Sequence, residues 1–521
     1  MTLAGAGLVF QSAFAPQIAS AQQPRGNATP AGSLDVRAFG AKGDGKTLDT
    51  AAINRAIDAV SAAGGGTVVF PAGTYASYSI HLKSKVSLYL NSGATILAAE
   101  NTATTGYDAA EPMALDKYQD YGHSHFHNSL IWGEDLTDIA ILGPGLIYGK
   151  GLSKGTGPGL RAEDPHVGNK SISLKNCRNV ILRDFGILQG GHFGILATGV
   201  DNFTIDNLRI DTNRDGMDID CCRNVRVSNC SVNSPWDDAI CLKSSFGLGH
   251  ARATDMVTIS NCMVSGSFAL GSLLDGTFKP IPADPGIHRT GRIKFGTESN
   301  GGFKNVTVTN CTFDGCQGLA LETVDGGLLE DVTISNITMR DIISAPIFMR
   351  LGARMRGPEG VPIGQLRRVI ISNIVVSNCA SYLGSIISGI PGHPIENVKI
   401  SDVYVQHQGG GTKEQAARMP AEMEKGYPEP GMFGAMPSHG FFIRHAKNVE
   451  LSNIEIAPLK EDQRPVFVMN DVDGVDLFRI KAPKVAGVPV AVLDSVRDFS
   501  ISASKPLLAD THLDKADNVK L

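Results

Sequence analysis

Three aspartates carry the densest chemistry on this chain. Asp215 lies in the run Asn213-Arg214-Asp215-Gly216-Met217-Asp218, and the adjacent pair Asp237-Asp238 follows downstream. The separation, roughly 22 residues, is also about the period at which the chain repeats itself. Residues one period apart in a coiled β-structure stack on neighbouring strands, roughly 4.8 Å apart. The spacing therefore predicts three carboxylates on one patch of surface. Like charges at that distance resist simultaneous ionisation, which is costly unless the cluster is used. Acid–base catalysis, a calcium site and ordinary turn residues all fit such a cluster.

Other polar groups accompany it. Arg292 and Lys294 are two residues apart on an expected strand, so both project from one face, either as a solvated basic pair or as a site for an anionic ligand. His192, in Gly190-Gly191-His192-Phe193, falls about one repeat before Asp215 and is a candidate wall of the same cleft. His123, His125 and His127 alternate, which places them on one strand face as metal ligands, substrate contacts or exposed side chains. Arg350, Arg354 and Arg356 form a basic cluster that either binds an acidic ligand or pairs with Glu322 or Asp325. Glu422, Glu424 and Glu429 fall in a long loop and are expected to be solvated.

The elements that must position these residues are short strands. Val225-Arg226-Val227-Ser228-Asn229-Cys230 recurs as Val257 to Cys262, Val306 to Cys311 and Val332 to Ile337, then from Val369, Val398 and Val449. Weaker copies begin at Val180, Phe203, Val475 and Phe499. Each copy alternates apolar and polar residues, and its asparagine suits a turn with positive φ. With no strongly periodic helix between copies, this predicts an all-β fold, a right-handed parallel β-helix. Asp49 to Ala62 departs from the pattern, with a helical stripe of Ala52, Ile53, Ala56, Ile57 and Val60. Asp49 or Thr47 is expected to cap this helix and Gly64-Gly65-Gly66 to stop it, so that it covers the open end of the coil.

Composition agrees with one repetitive body. Of 521 residues, 42% are hydrophobic and 19% charged, and glycine (59) far outnumbers tryptophan (2), as many tight turns require. A net charge of -5 with no long basic run argues against nucleic acid as the main partner. No stretch is long and apolar enough to span a membrane. Residues 1–21 read as a signal or export segment ending at Ala19-Ser20-Ala21, and 22–33 as a flexible stretch. Residues 34–521 then form one β-helix catalytic domain, with inserted loops at 275–291 and 409–439. Nine cysteines cannot all pair; Cys230, Cys262 and Cys311 each follow an asparagine and read as buried, stacked side chains. Cys221, Cys222 and Cys241 flank the carboxylates at no zinc-motif spacing, so no metal is expected.

The chain resembles the polygalacturonases and related pectin-degrading enzymes of glycoside hydrolase family 28. Asp35-Val36-Arg37-Ala38-Phe39-Gly40-Ala41-Lys42-Gly43-Asp44-Gly45 is similar to the opening motif of pectate-lyase-like β-helices. Asn213 to Asp218 resembles the family's Asn-Thr-Asp-Gly-x-Asp, Trp236 to Ser244 its Asp-Asp block, and Gly291-Arg292-Ile293-Lys294 its Arg-Ile-Lys block. The resemblance implies inverting hydrolysis, with Asp237 as the acid and Asp215 and Asp238 holding and deprotonating a water. Roughly 6.5–9.5 Å is then expected between acid and base. Ionised Asp215 and Asp238 are expected to favour the proton on Asp237. It further implies that Arg292 and Lys294 bind an acidic pectic polysaccharide or oligosaccharide, with Lys243 as a further contact.

The family's Gly-His-Gly block has no counterpart near Gly266 to Ser272, and Asp275 to Gly291 stands where a full repeat is expected. These departures point away from plain homogalacturonan, with His250 or His288 left to supply an imidazole from a loop. Loop length alone leaves endo and exo action open, although insertions that wall off one end of the cleft would favour exo action. An exported monomer without a cofactor is expected. Two other readings stay open on this scaffold: a uronate lyase using calcium and an arginine base, and a non-catalytic carbohydrate-binding β-helix.

Overall fold

The computed structural model describes residues 32–155, 164–282, 289–380, 382–505, 507 and 509–521. The expected export segment, most of the flexible stretch after it and His288 lie outside the described residues. From Ser33 onward the chain coils as a parallel β-helix, each turn laying its strands in register on the turn before.

Register follows the sequence repeat. Val225 pairs with Val257, Val257 with Val306, Val306 with Val332 and Val332 with Val369. The same column continues through Val398, Val449, Val475 and Phe499, and extends back through Phe203 to Val180. These side chains are buried, and burying each contributes about 1.5–3 kcal/mol. The asparagines at the ends of the repeats take the left-handed conformation: φ is 58° at Asn229, 56° at Asn261, 56° at Asn310 and 58° at Asn336. Their amides form a ladder along the coil, Asn261 donating to Asn229 at 3.3 Å, Asn310 to Asn261 at 3.3 Å and Asn336 to Asn310 at 3.1 Å. All nine cysteines are buried and free, as the stacking reading requires.

The helix spans Thr50–Ala62, and Ala52, Ile53, Ala56, Ile57 and Val60 are its buried residues. It packs against the first strands of the coil and closes that end of the core. Asp49 occupies the cap position, but its carboxylate turns away from the helix and accepts from the amides of Lys42 (2.7 Å) and Gly43 (2.9 Å). It therefore ties the opening motif to the helix instead of capping it. At the other end, Ala491–Ser502 pairs antiparallel with Thr511–Ala516 and Val519–Lys520, which covers the last parallel edge.

The 409–439 insertion folds back onto the strand stack. Arg350 donates to the carbonyls of Glu422 (2.8 Å) and Met423 (3.0 Å), and Arg444 to those of Pro420 (2.7 Å) and Ala421 (3.0 Å). Both guanidinium groups also approach the ring of buried Phe433, at 5.4 and 5.6 Å. Phe433 and Met436 join an apolar cluster with Phe348, Ile386 and Phe442 outside the main core.

Candidate active site

Strands Asp215–Asp220, Ile240–Ser244, Ile293–Ser299 and Leu319–Thr323 lie side by side in one sheet of the coil. Met217 pairs with Ile240, so Asp215 is level with Asp238 and Arg214 is level with Asp237. Backbone bonds from Gly216 to the Asp238 carbonyl (2.9 Å) and from Met217 to the Ala239 carbonyl (3.0 Å) hold that register. One carboxylate oxygen of each aspartate lies within 4.8 Å of the others. The three do gather, but more tightly than the roughly 6.5–9.5 Å expected between acid and base.

The environment pushes two of these carboxyls apart. Asp215 is 3% exposed and its Oδ1 is buried without a hydrogen-bond partner. Burial, then the charges of Asp218 and Asp237, raise its pKa well above the ordinary carboxyl value. Burial acts the same way on Asp238, but Lys294 and Arg292 outweigh it and the pKa falls. Arg292 Nε donates to Asp238 Oδ1 at 2.9 Å, and Lys294 Nζ lies 3.4 Å from Oδ2. Asp215, expected to be ionised, is instead the carboxyl on which burial and its acidic neighbours favour the proton. Asp237, the most accessible of the three, is ion-paired with Arg214 at 2.8 Å.

Strand Ile293–Ser299 stacks directly on Ile240–Ser244, so the coil has no further rung between the Asp-Asp block and the cationic pair. The excursion that replaces it returns close to the aspartates, Gly291 donating to the Asp237 carbonyl at 2.8 Å. Gly291 has φ +56°, and a Cβ there would meet the Ser265 carbonyl oxygen at 2.3 Å, so the return requires glycine. Arg292 and Lys294 are buried, 1% and 2% exposed. Glu429, expected to be solvated, reaches in from the 409–439 loop to bond Arg292 and sits 3.5 Å from Lys294 Nζ. Glu322, from the next strand, lies 3.7 Å from Lys294. Burial pushes the Glu322 carboxyl up to about 8, although Lys294 and Arg292 oppose this.

Lys243 lies beneath the site, 3.2 Å from Glu298 and 3.6 Å from Asp218, already committed to carboxylates. The expected contact with substrate is therefore corrected to a buried ion pair. His123 bonds Asp218 at 3.0 Å and meets the Phe193 ring edge-on at 4.9 Å, while His192 stacks on that ring at 4.2 Å. Burial, then Arg214, holds the His192 imidazole well below its ordinary pKa, so it is neutral. The one-face reading of the three alternating histidines fails because the segment turns through a 3₁₀ helix at Tyr121–His123. His125 bonds Asp116, and His127 bonds Glu134 and stacks on Trp132. His250 is exposed. Arg354 pairs with Asp325, Arg356 with Asp120, and Arg350 holds loop carbonyls, so the basic cluster is internally paired.

Sequence reasoning missed Arg214 and Glu429. Arg214 was visible as an arginine where the related motif carries threonine. Glu429 left no local signal, because its partner is 137 residues away.

Residues 33–134 match the family model described as rhamnogalacturonase A/epimerase, pectate lyase-like, and residues 162–283 match the right-handed β-helix region model. A probable polygalacturonase of Vitis vinifera is 26% identical over 65% of this chain and 73% of its own length. The exo-poly-alpha-D-galacturonosidase of Dickeya chrysanthemi is 29% identical over 33% of this chain and 28% of its own length. Among solved structures, the family 28 exopolygalacturonase of Yersinia enterocolitica superposes with a TM-score of 0.63 at 20% identity, covering 87% of this chain and 79% of that one. The fold is thus a right-handed parallel β-helix of the pectate-lyase-like class. Within that fold, the chain is similar in sequence to polygalacturonases, at 26–29% identity.

Proposed function

We propose that this protein is a glycoside hydrolase that cleaves α-linked galacturonate, or a related residue, in pectic polysaccharide or oligosaccharide. The observation that carries this reading is the aspartate triplet, in which one carboxyl favours its proton while a second is held ionised by two cations. Divergent pKa values in one cluster are what acid–base hydrolysis uses. Commitment of Asp237 and Asp238 to Arg214, Arg292 and Lys294 also leaves the triplet poorly suited to hold calcium, which a lyase of this fold class would need.

Asp237 faces the substrate as the acid, and Asp238 with Asp215 positions the water. In the free protein the proton rests on Asp215 and Asp237 is paired with Arg214. A sugar carboxylate binding the partly exposed Arg214 draws the guanidinium off Asp237 and frees that carboxyl to face the leaving oxygen. Trp236, 42% exposed, lies beside Asp237 and offers a face for a sugar ring. Seating of the 409–439 loop on the site supports removal of terminal residues, and export through residues 1–21 is part of the reading.

The test is digestion of defined pectic oligosaccharides by wild type and Asp237→Asn. Hydrolysis gives new reducing ends without an ultraviolet-absorbing double bond, lost in Asp237→Asn. An unsaturated product would establish a lyase, and unchanged behaviour of the variant would establish a binding protein. Early mid-chain fragments would exclude exo action.

A further inference from the structure

The cationic pair beside Asp238 is already saturated from within the chain. Arg292 and Lys294 carry two positive charges, and Asp238 and Glu429 supply two negative ones. Glu322 adds none at neutral pH, since its carboxyl holds its proton up to about 8. A sugar carboxylate at this place would be a third anion in a buried cluster, where unbalanced charge is costly.

Glu429 is fixed in place. Its backbone amide donates to the Tyr427 carbonyl at 2.9 Å, and its carbonyl accepts from Met432 at 2.9 Å. Tyr427 is anchored by a 3.0 Å hydrogen bond between its hydroxyl and Thr297, and its ring lies 5.4 Å from the Lys294 ammonium. On either side the loop is held by Arg350, Arg444 and Phe433, as described above. At the same time the Glu429 side chain is 31% exposed and Tyr427 is 56% exposed, so both border the accessible surface.

We infer that Glu429 is a specificity-determining residue: it takes the place of a sugar carboxylate on Arg292 and Lys294, so the sugar unit lodged beside them is uncharged. Resting on the hydrolase reading above, this makes the substrate a pectic chain with a galacturonate at the Arg214 side of the aspartates. The unit at the Glu429 side is then a neutral sugar or an esterified galacturonate. Tyr427 supplies the apolar face that such a unit would cover. The repulsion works as rejection of the wrong unit, beyond any gain for the right one.

The experiment compares wild type, Glu429→Gln and Glu429→Ala on three oligosaccharides: free-acid galacturonide, its methyl ester and a rhamnose-alternating galacturonide. Wild type should favour one of the two substrates with an uncharged unit, and which one identifies that unit. Glu429→Gln should raise kcat/KM on the free acid, relative to the preferred substrate, by about tenfold or more. An unchanged ratio overturns the inference, as does an equal fall on all substrates in both variants with unaltered thermal midpoints. If wild type cleaves none of them, the hydrolase reading fails separately, and calorimetric binding decides the role of Glu429. The free acid should then bind Glu429→Gln more tightly than wild type, and equal affinity refutes the inference.

Discussion

Arg214 and Asp237 lie level on adjacent rungs of the coil, with the guanidinium Nη2 2.8 Å and Nε 3.1 Å from one carboxylate oxygen. The pair is partly exposed, and Arg214 Nη1 also reaches the Lys154 carbonyl at 3.3 Å. The guanidinium and the proposed acid thus reach solvent together, about equally exposed at 25% and 24%.

Arg214→Gln removes the cation assigned to the sugar carboxylate. A charged hydrogen bond of this type contributes about 1.5–3 kcal/mol, so kcat/KM on a free-acid galacturonide should fall by about 10- to 100-fold. The loss should be smaller on a substrate esterified at that unit. Steady-state kinetics on the two substrates checks this, and equal losses on both would remove Arg214 from carboxylate recognition.

Much of this arrangement is legible in the sequence. The column from Val180 to Phe499 is written in the repeat, because alternation with a closing asparagine is both the strand pattern and the turn chemistry. Convergence of Asp215, Asp237 and Asp238 followed from the same period. Their individual environments did not, because the register aligns Asp215 with Asp238 and leaves Asp237 opposite Arg214, a one-residue difference that the repeat does not resolve. Lys243, Arg292 and Lys294 read as free cations because their carboxylate partners, Glu298 and Glu429, come from other strands and loops. Burial of charge is a property of the assembled coil, and local sequence carries no record of it.

The two displaced carboxyls set the pH profile. Asp238 stays ionised below the ordinary aspartate value of about 3.9, so activity should persist on the acid side past that point. Asp215 keeps its proton above that value, and activity should fall as pH rises through the point where it is lost. A pH series of kcat/KM for wild type and Asp215→Asn should show the alkaline limb moved or abolished in the variant. An unchanged alkaline limb would mean that another group holds the proton.

The same shift has a sign in stability. Asp215 has a higher pKa folded than unfolded, so its favourable contribution is complete below the unfolded value and is lost as pH rises through the folded one. Glu322 behaves alike, its contribution falling above the ordinary carboxyl value and fully lost by about pH 8. Asp215→Asn and Glu322→Gln should each unfold at a higher temperature than wild type at pH 9 and converge with it near pH 4. Thermal unfolding across that range is the measurement, and a benefit that grows toward acid pH would contradict the assignment.

Loop 409–439 depends on Arg444, which is 1% exposed and serves the carbonyls of Pro420 and Ala421 as well as Glu422 at 3.1 Å. Arg444→Met keeps the bulk but removes the donors to those carbonyls, a loss of about 1–3 kcal/mol where an acceptor is left buried and unpaired. The coil beneath keeps its own ladder, so the loss should be local. Limited proteolysis should cut the variant within 409–439 much faster than wild type while the rest of the chain resists. Equal cutting rates would show that Arg350 and Phe433 hold the loop alone.

Product stereochemistry tests the way the triplet divides its work. Carboxyl oxygens within 4.8 Å are close enough for Asp215 and Asp238 to grip one water, with Asp237 standing above it at the mouth. Attack by that water from the face opposite the leaving group inverts the anomeric centre, so an α-linked substrate should first release the β-anomer. Proton magnetic resonance during the first minutes of digestion, before mutarotation mixes the anomers, reads this directly. Release of the α-anomer would mean that an aspartate attacks the sugar itself. The short separation of the carboxyls would then mark a nucleophile and its acid, as in retaining enzymes, where the two lie about 5–5.5 Å apart.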